Sequence, residues 1–372
     1  MRRRTPPILP ALIGQLGLIA AAFAGGSVAA WAGVPAPWLT GAMVSVAVLS
    51  AIGVAPPMAA PLREFALIVS GMSMGAAVTP ESLGAFAAYP ASLLILGVNV
   101  LMVTAASALV LLVAGWSFRD AVLASSPGAL STILVIAADR GADVARIVVV
   151  QLVRLFVLVA ILPMVIVAAE HGGAGAAVVR PPVGPGELAA FFAVSLVGAL
   201  VFERFNVAGA FILGPMVATG VLTGPGVVHA GVPATLSLVG FTLIGVFIGQ
   251  RFRGLEGMTV LRTAPAAILS FGASLAVSAL GAFAVTWTVG VPFGETAVAF
   301  APGGLEAMTV LAFALGLDPV YVGVHHLARF LMVGFLIPAG FRWWGPLRDA
   351  KPAAEETPAP ERALEVPTRS RP

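Results

Sequence analysis

The chain has 372 residues, of which 59% are hydrophobic and only 10% charged, with a mean hydropathy of +1.02 and a formal net charge of +3. Soluble domains carry about 25% charged residues, so the composition excludes one and implies an integral membrane protein. The chain has no cysteine, which also excludes disulfides, thiolate chemistry and cysteine-bound metals.

Arg2, Arg3 and Arg4 open the chain and an apolar run follows. The start resembles a signal peptide, but alanine-rich sequence continues without a cleavage site, so the run is expected to stay as a helix. Apolar runs of about 18 residues or more fit a crossing helix. They recur at 8–32, 37–55, 62–79, 89–115 and 143–169, then at 187–203, 207–223, 233–250, 264–290 and 319–341. None alternates every second residue as barrel strands do. The predicted fold class is an all-α polytopic membrane protein. From Lys351 the tail is polar and proline-rich, a composition of disordered segments.

The two sets of runs repeat each other. Ser126–Arg154, "SPGALSTILVIAADRGADVARIVVVQLVR", aligns without a gap on Ala301–Arg329, "APGGLEAMTVLAFALGLDPVYVGVHHLAR", with 10 identities in 29 positions. Among them are Pro127/Pro302, Gly128/Gly303, Asp143/Asp318 and Arg154/Arg329. Upstream, "WLTGAMVSVAVLSAIGV" from Trp38 matches "FILGPMVATGVLTGPGV" from Phe211, and Gly71-x-x-x-Gly75 matches Gly245-x-x-x-Gly249. The expected organisation is a segment 1–14, repeat 15–169, linker 170–186, repeat 187–341 and tail 342–372. The two glycine pairs read as close helix packing.

Basic residues set the orientation. In the first half Arg63 lies between the second and third runs and Arg119 follows the fourth. In the second, Arg204 follows the first run and Arg251, Arg253 and Arg262 follow the third. Complementary patterns make inverted repeats with both termini cytoplasmic. Inversion needs an odd number of crossings, so each Pro-Gly segment, 119–141 and 294–317, is expected to dip in, break and return. That gives five crossings per repeat. A parallel duplication of twelve full crossings is the competing topology.

A broken helix in a bilayer frees backbone polar groups that protein or water must satisfy, so breaks line cavities. The half-helix starts are expected at Gly128–Thr132 and Gly303–Ala307, with positive ends facing an anion. Ser125, Ser126, Pro127, Gly128, Ser131 and Thr132 form the first candidate half-site; Pro302, Gly303, Gly304 and Glu306 form the second. Arg154 and Arg329 lie too deep to reach water easily, and a mid-bilayer arginine costs at least about 2.5 kcal/mol. Each either neutralises the carbonyl end of its broken helix or binds an anionic solute. Gln151 and His326 sit one turn away at matched positions. Glu306 is read as an ion-pair partner of Arg329 or a proton carrier, and His325 and His326 as further proton-coupling candidates.

With "VVVQLVRLF", "VGVHHLARFL" and "GPMVATGVL", these motifs resemble the AbrB family of bacterial inner-membrane proteins with an internal duplication, distinct from the soluble DNA-binding AbrB regulators. The resemblance implies a multi-pass inner-membrane location. Family members are labelled ammonia monooxygenases or regulators of gene expression. Four histidines, no cysteine and few intramembrane carboxylates speak against a catalytic metal, and basic residues that hug the membrane speak against nucleic acid as a partner. The expected activity is therefore not enzymatic and needs no cofactor or metal. It is secondary transport of a small anionic solute, with proton coupling, in a protein whose partners are the bilayer, the solute and further copies of itself. A channel, or indirect regulation of gene expression, is the alternative, and a monooxygenase ranks below both.

Overall fold

The computed structural model describes residues 8–80, 84, 89–128, 130–169, 181, 183–225, 228 and 231–348, with backbone alone at 8–11, 130–132, 338 and 341–348. In chain order the helices are α1 (Ile8–Trp31), α2 (Pro37–Ala51), α3 (Ala60–Ala76), α4 (Tyr89–Val113), α5 (Phe118–Ser125), α6 (Leu130–Asp139) and α7 (Val144–Ala169). Then follow α8 (Pro185–Arg204), α9 (Ala210–Thr223), α10 (Ala234–Gly249), α11 (Gly257–Val289), α12 (Phe293–Phe300), α13 (Leu305–Ala314) and α14 (Pro319–Arg348). Among the described residues, the seven α-helices given for one repeat answer the seven of the other in the same order. The last helix runs to Arg348, past the expected boundary at 341, and the tail beyond lies outside the described residues, as does most of the 170–186 linker.

Among the described residues, seven helices are long and apolar enough to cross a membrane: α1, α4, α7, α8, α10 with its following turn, α11 and α14. The other three expected crossings are shorter. The helices α2, α3 and α9 have 15, 17 and 14 residues, and 14 residues rise only about 21 Å against a hydrocarbon core of about 30 Å. Neighbours explain the shortness: α2 is sandwiched by α1 and α10, and α9 by α8 and α3. Protein rather than lipid covers much of them.

Glycine makes these sandwiches possible. A Cβ on Gly71 would overlap the carbonyl oxygen of Ile212, and one on Gly75 that of Met216. Reciprocally, Gly245 meets the Leu39 carbonyl and Gly249 that of Met43. Leu39 and Met43 are the duplication's counterparts of Ile212 and Met216, so one contact is made twice. Backbones this close gain dispersion over a long seam, the advantage of small residues between membrane helices.

The direction of the repeats follows from α3 and α10, which are counterparts. Ser73 Oγ lies 2.8 Å from Ser237 Oγ, while Val69 and Ser70 meet Gly240. Order rises along one helix as it falls along the other, so the two are antiparallel and the repeats are inverted. At the far end of the same crossing Arg63 stacks 5.9 Å over the Phe247 ring. Those two residues are the counterparts of Ser237 and Ser73, as a twofold axis between α3 and α10 requires.

Contacts divide the helices into two bundles. One combines α1–α3 with α8–α10; the other combines α4–α7 with α11–α14, where α11 packs on both α4 and α7 and α14 returns to α4. Bonds between bundles are sparse, the Thr40 hydroxyl donating to the Val159 carbonyl at 3.2 Å being one.

Candidate functional site

Each broken segment is a hairpin. Ser117 caps α5 by accepting the Asp120 N–H at 3.1 Å, and the chain turns at Pro127–Gly128, where Gly128 has φ +96°, a value that favours glycine. At the other end of α6 the Arg119 guanidinium donates to the carbonyls of Arg140 at 2.6 Å and Gly141 at 3.1 Å. The start and end of the segment are thus tied together on one face. Eight residues of α5 rise about 12 Å, which carries the break toward the midplane. This is the re-entrant arrangement expected from the base distribution rather than a full crossing.

A helix that ends there leaves its last carbonyls without intrahelical partners. The helix α7 supplies them. Arg154 donates to Ser125 O at 3.3 Å and Ser126 O at 3.4 Å, and Gln151 Nε2 donates to Leu123 O at 3.2 Å. Arg154 also donates to Gln151 Oε1 at 3.1 Å, which holds the two side chains together. In the second repeat Arg329 donates to the carbonyls of Ala301 and, at 2.6 Å, Gly303, and His326 Nε2 bonds Val298 O at 3.0 Å. Arg329 further bonds His326 Nδ1. Leu123 and Val298 are counterparts, as are Ser126 and Ala301. The two arginines solve the same problem in the same way.

The expected Glu306–Arg329 ion pair is not among the bridges of the described residues. Carbonyls occupy Arg329, and Glu306, in the first turn of α13, is turned to a cavity. That cavity, of about 410 Å³, lies where the two breaks cross. Gly128, Gln151 and Arg154 line it from the first repeat, with Pro302, Gly303, Gly304 and Glu306 from the second. The amide end of α13 also lies there, because its first residue, Leu305, lines the cavity and its cap, Gly304, has no side chain. Arg154 is 5% exposed and Arg329 2%, and only Arg154 reaches the cavity. Arg329 is sealed behind Gly128, where an added Cβ would sit 3.3 Å from its Nε, an atom without a hydrogen-bond partner.

Ser125, Ser126, Pro127, His325 and His326 are buried behind the cavity and do not line it. Ser131 and Thr132 sit in α6, and their side chains lie outside the description. Sequence reading missed Phe247 and Arg251 from the other bundle, and the apolar wall of Leu152, Leu155 and Phe330. A second cavity of about 500 Å³ holds Ala36, Ser73 and Ala77, the counterparts of Gly209, Phe247 and Arg251 in the first. It also lies between bundles but stops at Phe313 and Ala314, short of the breaks. At the start of α14, Asp318 Oδ1 accepts the N–H groups of Val320 and Tyr321 at 2.8 and 3.2 Å. Burial pushes its carboxyl up from the usual range, against the pull of those two amides.

Residues 38–345 match the family model described as Transition state regulatory protein AbrB. The chain belongs to the AbrB family. A curated Escherichia coli (strain K12) protein carrying the AbrB name is 28% identical over 236 residues, covering 61% of this chain and 67% of the relative. No solved structure matches the chain. The AbrB match thus spans both repeats and both hairpins.

Proposed function

We propose that this AbrB-family protein is a secondary transporter of a small anionic solute, which binds at the crossing of the two hairpins. The observation that carries the reading is Arg154, a buried cation at mid-depth, lining the same cavity as the amide end of α13. A fixed cation and a positive helix end in low dielectric favour a negative charge over water. Alternating access is supported by the two unequal cavities, which lie at pseudo-equivalent places between the bundles. Sliding one bundle against the other closes the cavity beside Arg251 and deepens the one beside Ser73, which exchanges Arg154 for Arg329 as the accessible arginine. By the base distribution the present cavity faces the cytoplasm of a bacterial inner membrane, with both termini on that side. A regulatory role, which the family description names, then follows indirectly from the solute moved.

A thermal-shift screen of purified protein against inorganic anions and small organic acids tests this. At least one anion is expected to raise the melting temperature, and Arg154→Gln is expected to lose that shift while remaining folded. An equal shift in Arg154→Gln, or no shift from any anion with the wild type, overturns the reading.

A further inference from the structure

Tyr321 and His325 of the second repeat and Ser92 of the first form a buried polar chain. His325, fully buried, places Nδ1 2.8 Å from the main-chain carbonyl of Tyr321 and Nε2 2.7 Å from Ser92 Oγ. Ser92 Oγ lies 2.5 Å from the Tyr321 hydroxyl. A carbonyl only accepts, so Nδ1 carries the proton, and in the neutral ring Nε2 is then bare. The order of donors is thereby fixed: Tyr321 O–H to Ser92 O–H to His325 Nε2. His326 carries the opposite tautomer, since its Nε2–H donates to Val298 O and its Nδ1 accepts from Arg329. It cannot gain a proton without breaking that bond, and His325 can.

We infer that His325 is a proton-binding site of the transporter, loaded through Tyr321 and Ser92 from the membrane face opposite the central cavity. When a proton arrives at the Tyr321 oxygen, its own proton passes to Ser92, and that of Ser92 forms the Nε2–H bond. Each O–H broken is remade, and the net change is one proton on His325. Both tyrosines of the chain are here, Tyr89 standing edge-on to Tyr321 at 5.3 Å and to His325 at 5.9 Å. Glu295 of α12 and Asp318 lie within electrostatic reach of both tyrosines. They sit at the two ends of the second hairpin, and α11 crosses the membrane between that face and Arg251. Among the described residues, the charged and titratable groups that face His325 or its two tyrosines are Tyr89 of α4, Glu295, and Asp318, Tyr321, His326 and Arg329. In the first repeat the positions of His325 and Tyr321 are held by Val150 and Arg146, and Arg146 stacks 3.9 Å over Trp116 instead.

The site's use rests on the transport reading above. His325 and Arg329 are four residues apart on α14, neighbours on one helix face. A proton on His325 adds positive charge beside Arg329, the arginine that the proposed sliding opens to the anion, and by linkage the anion there strengthens proton binding equally. The two would travel together.

Magnetic resonance of the whole chain in bilayers, with ¹⁵N-labelled histidine and no added solute, tests the site apart from transport. The four histidines are assigned with His171→Gln, His229→Gln and His326→Gln. At neutral pH, His325 is expected with its proton on Nδ1 and His326 with its proton on Nε2. On acidification His325 charges while His326 stays neutral. Ser92→Ala, or Tyr321→Phe where that variant folds poorly, is expected to slow proton exchange at His325 Nε2 at least tenfold. A proton on His325 Nε2 at neutral pH, His326 charging first, or unchanged exchange in the variants overturns the inference. Failure of the anion screen with these signatures present would sink the transport reading alone.

Discussion

The two hairpins use one device for two purposes. Both set an arginine from the helix two elements on against the stranded carbonyls of α5 or α12, with a matched Gln151 or His326 beside it. In the second hairpin the arginine is sealed, with its NH2 group 2.6 Å from the Gly303 carbonyl. In the first it makes bonds of 3.3 and 3.4 Å and looks into a cavity. The carbonyl-capping role is common to the duplication, and contact with the cavity belongs to Arg154 and not to Arg329.

The widest break in this comparison would come from the seams that make the halves equivalent. Gly71→Leu and Gly245→Leu each force a side chain into a facing backbone carbonyl, and both should abolish folded protein on fluorescence-detected size exclusion. If one is tolerated, the reciprocal seams are not equivalent. Next, inversion is read as sidedness, since the chain has no native thiol. Cysteine placed at Gly141 should react with impermeant reagent only from the cytoplasm, and cysteine at its counterpart Gly316 only from outside. Labelling of both from one side would refute the orientation.

The arginines separate the two purposes quantitatively. Arg329→Gln strands two sealed carbonyls, at about 1–3 kcal/mol for each unsatisfied group, so its melting temperature should fall furthest. Arg154→Gln should cost about 1 kcal/mol, because the cavity lets water reach the freed carbonyls. The same change should remove anion-dependent stabilisation, whereas Arg329→Gln should keep it in whatever protein folds. Equal stability losses would mean that the difference in exposure has no energetic content. Smallest of all, Glu306→Gln should move stability by less than about 0.5 kcal/mol, since Glu306 makes no ion pair with Arg329 and its counterpart is Ser131. A drop comparable to that of Arg154→Gln would restore Glu306 as a structural partner.

Much of this was legible in the chain because the signals are local. Pro-Gly pairs inside apolar runs mark the breaks, the register of Arg154 with Arg329 marks the duplication, and Arg119 and Arg140 mark the ends of the first hairpin. Features made by distant segments were not. Ser92 is one serine in an apolar run, and only folding brings it to Tyr321, 229 residues away. In sequence Arg251 is an orientation signal, and only the fold sets it beside Phe247 in the cavity. The apolar stretches of 37–55 and 207–223 read as long crossing helices, because hydropathy does not reveal that α2 and α9 are shielded by protein and are short. The pairing expected for Glu306 failed because proximity in the repeat pattern does not say which way a guanidinium points.

The exchange of partners between halves, α3 with α9 and α2 with α10, bears on how the protein is made. A ribosome delivers the first repeat while Gly71 and Gly75 of α3 still have nothing to lie against, and the tip of its hairpin at Gly128 still lacks Arg329 behind it. That repeat, held by α1 on α2 and by Arg154 at its own hairpin, must wait with α3 uncovered, vulnerable to membrane proteases and to pairing with the wrong neighbour, until α9 and α10 emerge. Translation of the second half is therefore the folding step of the first, and truncation anywhere before α10 should leave both halves to degradation.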